Sequence, residues 1–364
     1  MLDVVFAIPG DITLRTGGYI YDRRLLALLP AAGVTARHLP LPRGYPSPTQ
    51  DDLAATARAF SELPRNAVLL VDGLAYGTMP PCVIARAPGP IVALVHHPLC
   101  LEVGLPAGRA AELKALETAA LALARRVIVT SAATARTLTA EFGVPADKIA
   151  VAEPGTDKPA VRVRSKRPAG TGHGTQLLAA GAIVPRKGYD ILVDALGRLA
   201  HLDWRLTIAG DRDRSPETAA ALEVRIRRSG LRDRIRLVGG VDSRTLARLY
   251  AEADVFVTAS LYEGYGMVLG EALARGLPIV TTTGGAAGET VPDRAALKVP
   301  PGDARALAHA LGRALREPML RRRLSEAAWS AGRSLPDWRD TARIVADVIG
   351  NTAQRAQKSP DEPR

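Results

Sequence analysis

The chain of 364 residues has 47% hydrophobic and 23% charged side chains, with 33 glycines and 27 prolines; this is the composition of short, punctuated, folded elements and excludes disorder over most of the length. A single hydrophobic core stops growing near roughly 250–300 residues, so two domains are expected. The net charge of +11 invites an anionic partner, but aromatic residues make up only 4% and never interleave with arginine as in single-strand binders, which argues against nucleic acid.

The first segment, Leu2 to Ile8, is too short and too acidic for a secretory apolar region and runs into Pro9-Gly10, so it reads as a first strand. Apolar, β-branched runs recur at 67–71, 91–95, 127–130 and 149–151. Helical stretches at 21–29, 49–61 and 109–123 lie between them. Strand–helix alternation of this kind makes a parallel sheet covered on both faces. The apolar window from Thr118 to Thr130 is interrupted by Arg125-Arg126, and no window offers the roughly 18 apolar residues a membrane span needs.

Residues 157–175 lose the apolar period and collect proline, glycine and positive charge, a linker signal. The charge is uneven: net +1 over 1–155, +4 over 156–175 and +6 over the remainder. Alternation then restarts at 176–180 and continues through 205–209, 234–238, 254–258 and 278–281. The expected organisation is a Rossmann-like domain over 1–156, a basic linker over 157–175 and a second Rossmann-like domain over 176–335. A C-terminal helix over 336–350 should pack back toward the first domain and stop at Gly350, with a disordered tail over 351–364. Two doubly wound sheets place their ligand crevices at strand carboxyl ends, so the fold class is α/β with two parallel-sheet domains facing across a cleft. Cys82 and Cys100 sit outside any metal-ligand spacing, which leaves neither a disulfide framework nor a zinc site in view.

The densest constellation runs from Ser260 to Pro278. Gly264 and Gly266 permit a tight loop, and a helix starting near Gly266 would turn its free N–H groups toward an anion or sugar, with Tyr265, Met267 and Val268 at the same corner. Glu263 lies ahead of that helix and Glu271 inside it, spaced to meet different parts of one elongated ligand. Arg186-Lys187, between Pro185 and Gly188, offer two cations on a strand-to-helix loop that could neutralise a phosphate. Upstream, Gly17-Gly18 opens a helix after the first strand, and His96-His97-Pro98 follows the strand at 91–95, where open sheets hold ligands. Gly239 ends the run that starts at Arg234.

Glu263 and Glu271 separated by seven residues, the Pro185-Arg186-Lys187-Gly188 turn, Ala209-Gly210-Asp211, Arg234 to Gly239, Gly284-Gly285 and Val299 to Asp303 together resemble the family 4 retaining glycosyltransferases of the GT-B fold, glycosyl transferases group 1. The match covers most of 176–310 and is looser upstream, at Gly17-Gly18 and His96-His97. The resemblance implies a hexosyltransferase that takes a nucleoside-diphosphate sugar donor and needs neither cofactor nor metal. It implies that Glu263 contacts donor-sugar hydroxyls, Glu271 the ribose, Arg186 and Lys187 the diphosphate, and His96 the sugar, with His97 one step removed. The acceptor would be a lipid or glycan. The protein would be cytoplasmic, with the inner face of the cell membrane and peripheral contact there permitted by its basic charge. The sequence departs from the family where Ala182 follows Gly181 in place of an arginine, and where Glu289 stands one residue farther from the glycine pair. Two other readings stay open on sequence: a nucleotide-sugar epimerase of the same architecture, and a non-catalytic polyanion- or membrane-binding protein.

Overall fold

The structure, a computed structural model, describes residues 2–162 and 174–358. The chain divides into two compact units: one formed by residues up to Gly155 together with those from Pro336 onward, the other by Thr156–Leu335.

The sheet of the first unit contains β1 (Leu2–Pro9), β2 (Val34–Leu41), β3 (Val68–Asp72), β4 (Ile91–Val95), β5 (Arg126–Val129) and β6 (Ile149–Val151), in the spatial order β2-β1-β3-β4-β5-β6. Every pairing is parallel. The central strands β3 and β4 are buried at every position, as expected for a sheet with helices on both faces. The sequence reading missed β2. It is an edge strand whose exposed and half-exposed positions, among them Arg37, His38 and Pro40, hide the apolar signal.

In the second unit, β7 (Thr175–Ala180), β8 (Trp204–Ala209), β9 (Ile235–Leu237), β10 (Val255–Val257), β11 (Ile279–Thr282) and β12 (Ala296–Val299) lie in the order β12-β11-β10-β7-β8-β9, again all parallel. β12 was also missed, and it too is an edge strand, with Leu297 and Lys298 half-exposed. Trp204 and Phe256 are fully buried on this sheet, and each such side chain stabilises the fold by about 1.5–3 kcal/mol relative to exposure.

In each sheet the chain builds outward on one side of its first strand and then crosses to the other. The reversal falls between β1 and β3 in the first unit and between β7 and β10 in the second. Open α/β sheets bind ligands outside the strand carboxyl ends at this point, because the flanking loops diverge there.

Two expectations about the chain's organisation need correction. The C-terminal helix runs from Trp338 to Lys358, through Gly350, so 351–358 is helix and not tail. Thr352 and Ala353 are buried, and the Thr352 hydroxyl donates to Val348 O at 2.7 Å; the buried stripe of Val345, Val348 and Ile349 simply continues. Of the expected linker, residues 163–173 lie outside the described residues. Lys158 and Arg162 are bound to the second unit, Lys158 donating to the carbonyls of Arg333 and Leu335 and Arg162 to Gly276 O and Ser325 Oγ.

Candidate active site

The switch point of the second unit assembles the residues that the sequence reading valued most. After β7 the chain turns through Gly181 into the Pro185–Lys187 turn, and after β10 it runs through Ser260 to Glu263. Lys187 Nζ donates to Glu263 Oε1 at 2.6 Å, and Ser260 Oγ donates to the same oxygen at 2.6 Å. Arg186 Nη1 lies 3.3 Å from Glu263 Oε2 and donates to Tyr262 O at 2.8 Å. Side-chain exposures of 17% for Arg186, 13% for Lys187 and 6% for Glu263 place all three charges largely out of water. Two cations face one carboxylate, so the cluster keeps one excess positive charge.

Several glycines make this packing possible. Gly188 has φ +59°, and a Cβ there would run into the carbonyl of Ala259; at Gly181 it would meet Lys187 Cε at 2.9 Å. The backbone of Glu263 is clamped, its N–H donating to Gly284 O at 3.2 Å and its carbonyl accepting from Ala286 N at 2.8 Å. Gly285, with φ +62°, bridges to Glu263 in parallel fashion and has no room for a side chain against it. The Gly284-Gly285 pair therefore acts as a backbone seat for the carboxylate. Ser260 was not singled out from the sequence; a serine three residues before an acid carries too little signal alone.

Burial alone would raise the Glu263 carboxyl. The charges of Lys187 and Arg186, with the hydrogen bonds from Lys187 and Ser260, win and hold it down at about 2 against an ordinary 4.5. Because the folded value is the lower one, this carboxylate stabilises the fold above about pH 4.5, and that contribution disappears as pH falls from 4.5 through 2. The difference corresponds to about 3 kcal/mol. Urea unfolding of the wild type and of Glu263→Gln between pH 7 and pH 2 should show the stability gap between them closing by about this amount. An unchanged gap would contradict the pairing.

The other expected residues of this unit take distinct places. Gly266 has φ +88° and caps the helix Met267–Ala274. Gly264, Met267 and Val268 are half-exposed, whereas Tyr265 is buried and its carbonyl accepts from Thr290 Oγ1 at 2.6 Å. Glu271 lies within the same helix and close to Tyr250, whose hydroxyl is pushed well above its usual range by burial, then by the Glu271 charge and the hydrogen bond between them. Gly239 follows β9 with φ +70°, and its carbonyl accepts the N–H of Gly210 at 2.9 Å. Glu289 is exposed.

The first unit has its own cluster at its switch point. His96 follows β4, Asp72 ends β3, and Asp22 lies in the helix Gly17–Leu28 that follows β1. His96 Nε2 sits 3.3 Å from Asp22 Oδ1 and 3.2 Å from Asp72 Oδ2. The ring nitrogen is thus shared between two buried carboxyls, within ion-pair distance of both. Gly18 makes the space: a Cβ there would stand 3.2 Å from His96 Cδ2. Gly17 is the first residue of the same helix, capped by Thr16. His97 is turned to a different partner, Glu102, at 3.3 Å.

Asp22 and Asp72 were missed, yet each breaks a pattern. Asp22 sits on the buried stripe of Tyr19 and Leu25, and Asp72 closes a strand buried throughout. The sequence suggested no metal-ligand cluster, but the fold gathers one ligand atom each from Asp22, Asp72 and His96 within 4.8 Å of one another, a set able to hold a metal ion. Three separate elements supply it, so no local spacing shows it. Among the described residues, no helix is long and apolar enough to cross a membrane.

Two family models match the chain in succession. Residues 5–155 match the glycosyl transferase 4-like domain and residues 174–317 the glycosyl transferases group 1 domain. The mannosylfructose-phosphate synthase of Agrobacterium fabrum is 32% identical over 52% of this chain and 43% of its own length. The MMP α-(1→4)-mannosyltransferase of Mycolicibacterium hassiacum is 29% identical over 75% of this chain and 68% of its own. The matched region spans about half the length of the first of these curated relatives. Among solved structures, the sucrose-phosphate synthase of Thermosynechococcus elongatus superposes with a TM-score of 0.79 at 22% identity, covering 97% of this chain and 100% of that one. An Anabaena protein in complex with UDP and glucose gives 0.75 at 16% identity, covering 96% and 100%.

Proposed function

From the premise that the chain belongs to the group 1 glycosyltransferases of family 4, we propose that it moves a hexose from a nucleoside-diphosphate sugar to an acceptor hydroxyl, retaining the configuration at the anomeric carbon. The observation that carries this reading is the buried cluster of Arg186, Lys187 and Glu263, with its excess positive charge at the switch point of the second sheet.

Arg186 and Lys187 face the diphosphate. Glu263 accepts hydrogen bonds from hydroxyls of the donor sugar, Glu271 from the ribose, and the backbone from Gly264 to Val268, at a helix N-terminus, lies along the phosphate side. As the bond between the anomeric carbon and the phosphate oxygen breaks, negative charge grows on the leaving diphosphate. The two cations stabilise that charge without having to reorganise. The acceptor oxygen bonds to the anomeric carbon on the face the phosphate leaves, and the acceptor proton passes to the departing phosphate oxygen. The reading assigns no protein nucleophile and routes no step through a metal. The acceptor is a hydroxyl of a lipid or envelope glycan.

Thermal unfolding in the presence of UDP, GDP and ADP, and then of their hexose conjugates, tests the donor assignment. Binding to the native state raises stability by mass action, by about 2.7 kcal/mol at a hundredfold excess over Kd. One nucleotide should stabilise the protein strongly. If none of the three does so, the proposal fails. With a labelled donor, label should enter product only when an acceptor is present; conversion of donor alone would point to the epimerase reading instead.

A further inference from the structure

The helix Met267–Ala274 carries Glu271 in its second turn, and a tyrosine from another helix of the same unit is packed against it. Tyr250 lies in the helix Ser243–Glu252 and is 1% exposed. Its ring packs on Phe256 of β10 at 5.6 Å between centroids, and the guanidinium carbon of Arg275 stands 4.6 Å from the ring centre. These contacts fix the ring, and its hydroxyl reaches the first turns of the helix Met267–Ala274, 3.3 Å from Val268 O and in a hydrogen bond with Glu271. A separation of 3.3 Å is long for an O–H···O bond, and a carboxylate is the stronger acceptor, so the proton goes to Glu271. Arg275 Nη1 donates to Glu271 O at 3.0 Å. Residue 271 is thus held twice, by a hydroxyl at its carboxylate and by a guanidinium at its backbone.

Packing alone does not call for a tyrosine at position 250. A phenylalanine fills the same apolar space, and burying a hydroxyl is costly unless it is bonded. Glu271 is half-buried. A carboxylate accepts at about four lone-pair positions, so the bond from Tyr250 leaves acceptor capacity for a ligand. The Cα–Cβ bond in a helix tilts toward the N-terminus, so the Glu271 side chain leans back over the turn that Gly266 opens.

We propose that Tyr250 is a positioning residue whose hydroxyl holds one edge of the Glu271 carboxylate, so that the remaining acceptor positions meet the vicinal hydroxyls of the donor ribose and select ribonucleotides over deoxyribonucleotides. Arg275 supports the arrangement from the ring and from the backbone of Glu271. The inference rests on the assignment of Glu271 to the ribose under the transferase reading, and it lies within the second unit. Without the hydroxyl, a flexible side chain has to be ordered at the moment of binding, which removes roughly three- to tenfold of affinity.

Titration calorimetry on the full chain tests this with UDP, GDP and ADP, their 2′,3′-dideoxy forms, and inorganic pyrophosphate as a probe without ribose. The wild type should favour the ribo form of its nucleotide by about twentyfold or more, because a site built to bind hydroxyls rejects an analogue that lacks them. Tyr250→Phe keeps the ring and its contact with Arg275. It should weaken the ribo form by roughly three- to tenfold and leave the dideoxy form and pyrophosphate within about twofold, so the ribo preference narrows. A tyrosine that only supports the fold would weaken all three probes alike. Equal weakening of the ribo and dideoxy forms, or an unchanged preference, overturns the proposal. If Tyr250→Phe does not fold, Arg275→Met keeps the hydroxyl but releases the ring and should narrow the preference by about twofold or more; an unchanged preference in that variant overturns the proposal equally. A wild type that binds a nucleotide without ribo preference overturns the proposal and leaves the transferase reading standing, whereas a wild type that binds none of the nucleotides takes both down.

Discussion

Replacing Glu263 by glutamine should lower sugar transfer roughly 100- to 1,000-fold, the scale of losing one preorganised polar contact at a reacting centre. The substitution preserves shape but removes the charge that Lys187, Arg186 and Ser260 converge on. Its second effect has the opposite sign. With the carboxylate gone, the cluster gains positive charge, so the free nucleoside diphosphate should bind as tightly as before or more tightly. Steady-state rates and titration calorimetry with the diphosphate on the same preparation separate the two. A parallel loss of transfer and of diphosphate binding would mean that Glu263 only holds the cations in place. Retention of both would remove it from the chemistry. The variant should also be less stable at neutral pH by about 3 kcal/mol or somewhat more, because taking one partner from a buried ion pair leaves the other uncompensated.

The second-unit site could be read from the sequence because its parts are local. Gly264 and Gly266, the Arg186-Lys187 turn and the Gly284-Gly285 pair each lie directly after a strand, and three adjacent parallel strands bring these loops to one end of the sheet. The linear order does not reveal who pairs with whom. That Arg186 and Lys187 both contact Glu263 depends on β7 and β10 being neighbours despite the two intervening strands, β8 and β9. The first-unit cluster was less legible. His96 was visible at a strand end, but Asp22 and Asp72 come from other elements, and only their intrusion into apolar patterns marks them. Fold class followed from alternation alone. The two missed strands, β2 and β12, are edge strands, where one open side removes the apolar pressure that makes central strands conspicuous.

Lys187→Met should have the largest effect on donor binding. Methionine matches the length and apolar stem of lysine, so Gly181, whose missing side chain makes room for Lys187 Cε, still accommodates it. The lost ammonium leaves Glu263 with Arg186 and Ser260 only, and the excess positive charge vanishes. A charge-assisted contact to phosphate and its transition-state counterpart are lost together, so kcat/KM should fall by roughly 1,000-fold or more, and diphosphate-induced thermal stabilisation should nearly disappear. Glu263 loses its strongest counterweight to burial, and its carboxyl should move up from about 2 toward the ordinary carboxylate range. The acid-dependent part of stability, lost in the wild type between pH 4.5 and 2, should shrink accordingly. Arg186→Met is the matched control: Arg186 Nη1 lies farther from Glu263, 3.3 Å against 2.6 Å for Lys187 Nζ, and also holds Tyr262 O. Its loss should affect Glu263 less than the loss of Lys187 does. If Lys187→Met retains diphosphate stabilisation while Arg186→Met abolishes it, the phosphate lies on the guanidinium side of the cluster and Lys187 serves Glu263 alone.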